Sequence, residues 1–127
     1  MNIFGIGTDI VSIDRIKKSI KNKNFLKRVF NSKEILKCKK NTKYFNCYSK
    51  RFAAKEAFSK ALGTGISNGI SFNEIIILNK KSGKPYITLS GQTKRIIESK
   101  FKKKKIKISL SLSDETKYAV AFVTISL

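Results

Sequence analysis

The sequence predicts an α+β fold in which a mostly antiparallel sheet packs on a long central helix. The predicted elements follow the order strand, several helices, hairpin, helix, hairpin, which is typical of helices segregated from an antiparallel sheet. The central stretch RFAAKEAFSKALGTGI, residues 51–66, has helical spacing and is apolar on two sides, which indicates burial. The run IKISLSL, residues 106–112, alternates as a half-buried strand does.

The first half of the chain predicts one strand and a series of helices. A glycine-containing apolar stretch forms the strand, and Ser12 is suited to cap the helix that follows it. The long helix ends where Gly63 begins a glycine-containing turn. The predicted elements are a strand over 2–11 and helices over 13–20, 25–30, 32–40 and 42–62. The outward faces of the first three helices are basic, which suits either simple solvation or docking of an acidic partner.

The second half predicts two hairpins separated by one helix. Its β-branched run and its alternating run are bounded by turn residues. The predicted elements are strands over 72–78 and 85–90 around a turn at 80–84, a helix over 92–101, and strands over 106–112 and 118–127. The 127 residues contain no repeat or linker, so we expect a single domain over 1–127.

The net charge of +20 indicates an anionic partner, such as phosphates, nucleic acid, an anionic membrane or an acidic protein. Most of the cations are lysines in a chain also rich in Asn and Ile, which is typical of a compositional bias. The scarcer arginines are therefore the better indicators of binding, because the guanidinium forks onto phosphate or carboxylate. A nucleic-acid-binding module without catalysis is the alternative interpretation, although the chain lacks a recognisable reader motif.

Neither a membrane span nor a zinc site is predicted. No apolar run approaches about 18 residues, and the first residues lack the basic leader of a signal peptide. Cys38 and Cys47 do not form a CxxC motif, and the chain has no His to complete a zinc site. We therefore expect two reduced thiols in a cytoplasmic protein.

Two acidic residues, Asp9 and Glu56, lie in apolar segments rich in Gly or Ala. Two hard oxygen ligands suit Mg²⁺, which keeps several waters and borrows substrate phosphates. Lys60 shares a helix face with Glu56, so the three residues suggest a phosphate-transfer site. A buried Glu56–Lys60 salt bridge is the structural alternative. The following GTGISNG segment, residues 63–69, suits a ligand-approach loop or a plain turn.

Other catalytic chemistries are poorly supported by the residues. The absence of His excludes a Ser-His or Cys-His nucleophile system. The chain also lacks the GxxxxGK[ST] and GxGxxG phosphate-binding motifs.

Four blocks of the chain together resemble the holo-acyl-carrier-protein synthases, the small members of the 4′-phosphopantetheinyl transferase family. The blocks are GIGTDIVSIDRI, RFAAKEAFSKALGTGI, SGKPYITLSG and ISLSLSDETKYAVAFV, in the same order and with the same spacing over nearly the whole chain. The resemblance implies that family's fold and its reaction. This reaction is the Mg²⁺-dependent transfer of 4′-phosphopantetheine from coenzyme A to a Ser of apo-acyl carrier protein. It releases adenosine 3′,5′-bisphosphate and supports fatty acid biosynthesis.

The resemblance also implies roles for individual residues. The metal carboxylates fall on Asp9 and Glu56, and the helix lysine falls on Lys60, close to the pyrophosphate. The serine hydroxyl of the carrier needs a base, for which either Glu56 or a metal-bound water could serve. Arg15 matches the arginine that meets the acidic carrier. Positions lining the coenzyme A site match Arg51, Gly63, Thr64, Gly65, Gly83, Lys84 and Pro85. Family members are typically homotrimers with sites at subunit interfaces, which we expect here.

One departure from the family pattern concerns its SxSH motif, because many members carry a His near the site. The corresponding run here ends in Asp114 instead, and the chain contains no His. A carboxylate accepts hydrogen bonds but cannot act as a neutral imidazole. We hypothesise that Asp114 orients a water, a metal ligand or Lys60.

Overall fold

The structure, a computed structural model, describes residues 2–102 and 104–127 and has the predicted α+β architecture. The strands are β1 (Ile3–Ser12), β2 (Ile75–Asn79), β3 (Pro85–Leu89), β4 (Lys107–Asp114) and β5 (Tyr118–Ser126). The helices are α1 (Ile13–Ser19), α2 (Lys23–Val29), α3 (Ser32–Lys39), α4 (Tyr44–Leu62) and α5 (Gly91–Lys100). The predicted central helix is α4, which ends at Gly63 in a left-handed conformation with φ of 82°.

The strands form two antiparallel sheets, one with the order β1-β5-β4 and one that consists of the β2–β3 hairpin. Both predicted hairpins are confirmed. The prediction of a strand over 72–78 is wrong at its start, because Phe72–Glu74 form a 3₁₀ turn. In this turn the Phe72 carbonyl accepts a hydrogen bond from Lys55, and the Glu74 carboxylate accepts bonds from the start of α5.

Two glycines allow β1 to lie directly against α4. A Cβ atom at Gly5 would lie 1.9 Å from the Ala61 carbonyl oxygen, and a Cβ at Gly7 would lie 1.9 Å from that of Ala57. Side chains alternate along a strand, so Asp9 projects from the same face of β1 as these glycines. The close contact therefore delivers the Asp9 carboxylate to the surface of α4.

The outer face of the three-stranded sheet remains apolar and exposed. The β5 residues that face α4 are fully buried, including Ala121 and Val123. On the opposite face Ile6, Ile10 and Phe122 are 60%, 64% and 45% exposed. An apolar sheet face of this kind indicates an interaction surface.

Cys38 on α3 and Cys47 on α4 are joined by a disulfide, so the prediction of two reduced thiols is wrong. The turn after α3 folds the chain back onto α4 and brings the two Cα atoms to 5.5 Å, a normal separation for a disulfide. The spacing of the two cysteines along the chain did not indicate this pairing. Among the described helices, none has the length and apolar character needed to cross a membrane.

Candidate active site

The structure brings Asp9, Glu56 and Lys60 together where β1 crosses α4. Lys60 Nζ lies 3.2 Å from Asp9 Oδ1 and donates a second hydrogen bond to the Thr8 carbonyl oxygen at 3.0 Å. The Asp9 side chain is 17% exposed, whereas that of Lys60 is 54% exposed. Glu56 is half-buried. The ammonium is therefore held by one carboxylate but remains open to an external anion.

The ionisation of Glu56 responds to its neighbours. Burial raises its pKa, and the negative charge of Asp9 raises it further, while the positive charges of Lys60 and Arg15 lower it. The two carboxylates are therefore close enough to repel one another. Arg15 on α1, the predicted partner-binding residue, is near enough for its charge to act on Glu56.

The alternative of a buried Glu56–Lys60 salt bridge is not what the structure contains. The hydrogen bonds of Lys60 go to Asp9 and Thr8, and its side chain is largely exposed. The reason is that β1 lies against α4 closely enough to offer a carboxylate and a carbonyl within reach of the lysine. Sequence spacing along the helix could not supply these acceptors.

The carboxylate pair suits Mg²⁺ better than it suits a metal ion that takes all of its ligands from protein side chains. Within residues 2–102 and 104–127, no group of three or more His, Cys, Asp or Glu side chains is placed to hold a metal ion. Mg²⁺ is commonly held by one or two carboxylates together with waters and substrate phosphates. Two mutually repelling carboxylates, Asp9 and Glu56, at a partly open position meet this requirement.

Apart from these carboxylates, Arg51 lines a strongly basic cavity of about 300 Å³. Arg51 is buried, and its Nη2 donates to Asn79 Oδ1 at 2.7 Å while Nη1 donates to the Cys47 carbonyl oxygen at 3.4 Å. Within the described residues its buried Nε has no partner. Burial lowers the Arg51 pKa, although Glu34 opposes this shift. The cavity is lined by Lys37, Asn41, Cys47, Lys50, Arg51, Asn79, Lys80, Lys81, Gly83 and Leu112.

Asn79 connects Arg51 to the predicted Gly83-Lys84-Pro85 segment. Its Oδ1 accepts from Arg51, and its Nδ2 donates to the Gly83 carbonyl oxygen at 3.0 Å. The Gly83 φ of 92° requires glycine, and Pro85 begins β3. The structure therefore joins Arg51, Asn79 and Gly83 in one wall of this basic cavity, and Lys84 and Pro85 follow Gly83 in the chain. Asn79 and the surrounding lysines were missed, because nothing in the local sequence distinguishes them from other turn residues.

The predicted loop Gly63-Thr64-Gly65 lies apart from this wall, at the carboxyl end of α4. Gly63 and Gly65 have positive φ values of 82° and 68°, and a Cβ at either would meet open space. Backbone conformation, and not crowding within the chain, therefore accounts for the two glycines. The loop has room for a ligand, but its conformation is equally explained by a turn that binds no ligand.

The two charged sites face different sides of α4. Arg51 and Lys60 are nine residues apart, so they project about 180° apart around the helix and about 13 Å apart along it. Glu56 projects about 140° from Arg51 by the same geometry. The body of α4 therefore separates the basic cavity from the carboxylates within one chain.

Asp114 also lies away from the carboxylates of its own chain. It accepts a hydrogen bond from Asn46 Nδ2 at 2.7 Å and pairs with Lys50 at 3.6 Å. Asp9 and Asp114 lie on β1 and β4, the outer strands of the sheet, two residues apart in register. Strand geometry puts their Cα atoms about 12 Å apart. The hypothesised contact with Lys60 is therefore not made within one chain.

Comparisons with known proteins agree on one family. A family model described as the 4′-phosphopantetheinyl transferase superfamily matches residues 5–123. The holo-[acyl-carrier-protein] synthase of Pelagibacter ubique is 53% identical over 123 residues, which cover 97% of this chain and 96% of that protein.

Solved structures extend this agreement to the fold. The holo-[acyl-carrier-protein] synthase of Neisseria meningitidis is 40% identical, with a TM-score of 0.86 and coverage of 98% of this chain and 99% of that one. The Helicobacter pylori synthase in complex with coenzyme A is 38% identical, with a TM-score of 0.79 and coverage of 95% and 99%. The chain therefore belongs to the 4′-phosphopantetheinyl transferase superfamily, among its holo-[acyl-carrier-protein] synthases.

Proposed function

We propose that this chain transfers 4′-phosphopantetheine from coenzyme A to a serine of an apo-acyl carrier protein, in a reaction that requires Mg²⁺. The transfer releases adenosine 3′,5′-bisphosphate and serves fatty acid biosynthesis in the cytoplasm. A single domain over residues 1–127 carries the activity. The observation that supports this most directly is the cluster of Asp9, Glu56 and Lys60 at the contact of β1 with α4.

The residues of this cluster divide the chemistry among them. Asp9 and Glu56 would hold Mg²⁺, which when bound draws charge from the phosphoryl oxygens. The half-buried Glu56 accepts the proton of the serine hydroxyl. The serine oxygen bonds to phosphorus as the bond from phosphorus to the leaving phosphate breaks. The exposed ammonium of Lys60 then stabilises the charge on that leaving phosphate.

The basic cavity around Arg51 is the proposed site for the phosphates of coenzyme A. Among the described residues, the Nε of its buried guanidinium has no partner, and four lysines line the same cavity. Gly83, Lys84 and Pro85 form the adjacent wall, and the loop of Gly63, Thr64 and Gly65 contacts the pyrophosphate end of the molecule. The Helicobacter pylori relative, solved with coenzyme A, supports this choice of ligand.

We further propose that the active site is completed in a homotrimer. The body of α4 separates the Arg51 cavity from the carboxylates, so a second subunit is needed to bring the two sites together. The apolar outer face of β1 and β5 offers a surface for this contact. Asp114 and Ile10 border one hollow on that face, so Asp114 would act on the site of a neighbouring subunit.

The carrier protein docks at α1. Arg15 is exposed and lies close enough to Glu56 to lower its pKa, so an acidic carrier bound there places its serine near the base. The net charge of +20 accelerates this encounter with an acidic partner. The same charge would also attract nucleic acid, but we expect no nucleic acid in the working complex.

Mass spectrometry of apo-acyl carrier protein incubated with the enzyme, coenzyme A and Mg²⁺ tests the reaction. We expect the carrier to gain one phosphopantetheine mass with wild type, and to gain it roughly 100-fold more slowly with Asp9→Ala or Glu56→Gln. Glu98→Gln, which alters an exposed carboxylate on α5, is the control and should react normally. Unmodified carrier under wild-type conditions would refute the proposal. Full turnover by Asp114→Ala would remove the role of Asp114.

A further inference from the structure

A buried ion pair joins α4 to α3, and its lysine immediately precedes Glu56 in the chain. Lys55 and Glu34 are both fully buried, and Lys55 Nζ lies 2.7 Å from Glu34 Oε1. The same ammonium donates hydrogen bonds to the Phe72 carbonyl oxygen at 2.8 Å and to the Ile75 carbonyl oxygen. Each of the three ammonium hydrogens therefore has an acceptor: the Glu34 carboxylate on α3, the Phe72 carbonyl oxygen, and the Ile75 carbonyl oxygen at the start of β2.

Glu34 is equally constrained. Its Oε1 accepts from the Asn31 backbone N–H at 2.9 Å, which completes the capping box of α3, and its Oε2 accepts from the Ile77 N–H at 3.1 Å. The pair thus ties α4 to α3 and to β2 through bonds of fixed direction. Burial lowers the pKa of Lys55 to about 8, while Glu34 opposes this shift.

Stability alone is a poor explanation for this arrangement. Taking two charges out of water costs several kcal/mol per ion, and well-packed uncharged replacements are often as stable as the ion pair. What an uncharged replacement does not reproduce is one donor group held by three acceptors in fixed directions. The distinctive property of the pair is therefore the orientation that it imposes on α4.

The orientation of α4 sets the position of Glu56. Lys55 precedes Glu56 in the chain, and the two side chains project about 100° apart around the helix. A rotation of α4 by about 10° moves a group about 6 Å from the helix axis by about 1 Å. A displacement of that size is sufficient to impair a site that must be held within about 0.5 Å.

We propose that Lys55 and Glu34 act as a positioning pair that fixes the rotation of α4, and thereby the placement of Glu56 opposite Asp9. Neither residue touches substrate. Their effect is to set the affinity of the carboxylates for the divalent ion. This inference rests on the proposed function, in which Asp9 and Glu56 hold Mg²⁺.

The test replaces the pair by an uncharged one, Glu34→Gln with Lys55→Met. The introduced glutamine retains an acceptor for a backbone N–H, and the introduced methionine fills the space of the lysine stem. Mn²⁺ serves as the probe, and its binding in the presence of coenzyme A is titrated by electron paramagnetic resonance. We expect the double variant to stay folded by circular dichroism and to bind Mn²⁺ roughly tenfold more weakly than wild type, or weaker still.

A matched control is the exposed ion pair of Asp14 and Lys18, which are 3.3 Å apart on α1. The variant Asp14→Asn with Lys18→Gln should bind Mn²⁺ as wild type does. If the double variant of the buried pair does not fold, Glu34→Asp provides the test, because it keeps the charge but shortens the side chain by one methylene. We expect Glu34→Asp to weaken Mn²⁺ binding severalfold.

The outcomes distinguish this inference from the proposed function. Wild-type Mn²⁺ affinity in a folded double variant, or in Glu34→Asp, would overturn the positioning role and leave the transferase proposal intact. Failure of the wild-type protein to bind Mn²⁺ and to modify the carrier would overturn the transferase proposal itself. Weaker Mn²⁺ binding with a normal far-ultraviolet spectrum supports the positioning role.

Discussion

Gly7→Ala is expected to separate β1 from α4 and to damage the fold and the metal site together. The added Cβ would lie 1.9 Å from the Ala57 carbonyl oxygen and 2.8 Å from the Ala61 nitrogen. Both atoms belong to the backbone of α4, so no side chain can rotate away. To restore even a tight contact of 3.0 Å, the strand and the helix must separate by about 1 Å.

The magnitude follows from this displacement. Overpacking of a core typically costs about 1–3 kcal/mol, and a clash with backbone belongs at the upper end. We expect about 3 kcal/mol of lost stability, which corresponds to a fall of roughly 10 °C in the melting temperature. Asp9 lies on the same face of β1, so it moves away from Glu56 by a similar distance, and turnover falls roughly 100-fold.

Urea unfolding followed by circular dichroism, at one fixed protein concentration, measures the first effect. The rate of transfer, recorded as a function of Mg²⁺ concentration, measures the second through its maximum and also gives the Mg²⁺ dependence. Gly5→Ala is the matched comparison, because its Cβ meets the Ala61 carbonyl oxygen at the same 1.9 Å but lies about 7 Å further from Asp9. It should destabilise the protein equally and affect the Mg²⁺ dependence less. A Gly7→Ala variant as stable as wild type would refute the packing argument.

Three further changes test other features of the structure. Cys38→Ser should lower the free energy of unfolding by up to about 3 kcal/mol, because the disulfide closes a short loop; unfolding curves unaffected by dithiothreitol would contradict this. The Lys55 pKa is lowered from 10.5 to about 8, so the unfolded chain binds more protons between these values. Stability should therefore rise from pH 8 to 10.5, by up to about 3 kcal/mol, relative to Glu34→Gln with Lys55→Met; equal slopes in urea unfolding would contradict this. Phe122→Lys should convert trimers to monomers in sedimentation velocity, and an unchanged sedimentation coefficient would refute the proposed interface.

The sequence predicted what local patterns determine. Alternation and helical spacing located the strands and helices, and Ser12 caps α1 as expected, accepting from the Arg15 N–H at 3.3 Å. Gly63 ends α4 because glycine adopts a positive φ at little cost. The scarcity of acids in apolar segments singled out Asp9 and Glu56, the resemblance implied their role, and alternation along β1 explains why the first faces the second. These features depend on residues close together in the chain or on a single strand–helix contact.

The sequence did not predict features that depend on contacts between distant segments. Glu34 occupies the third position of a short helix, where a capping carboxylate is normally solvated, and nothing local indicates that Lys55 reaches it. The pairing of Cys38 with Cys47 depends on the path of the turn between α3 and α4. Lys60 bonds to Asp9 and not to Glu56 because β1 lies unusually close to the helix. Predicting each of these contacts would have required knowing where a second helix or strand lies relative to the first.

The placement of charge around α4 is the reason for proposing that a second subunit completes the active site. A carboxylate at position 56 and a guanidinium at position 51 lie on one helix, yet project about 140° apart, so their attraction cannot neutralise either group. Among the described residues, the Nε of the guanidinium has no partner, and it lies in a basic cavity. The carboxylate of Glu56 instead faces Asp9 on β1. One site requires an anion and the other a cation. A pyrophosphate with its Mg²⁺ supplies both, provided that a neighbouring subunit brings the second site within its length.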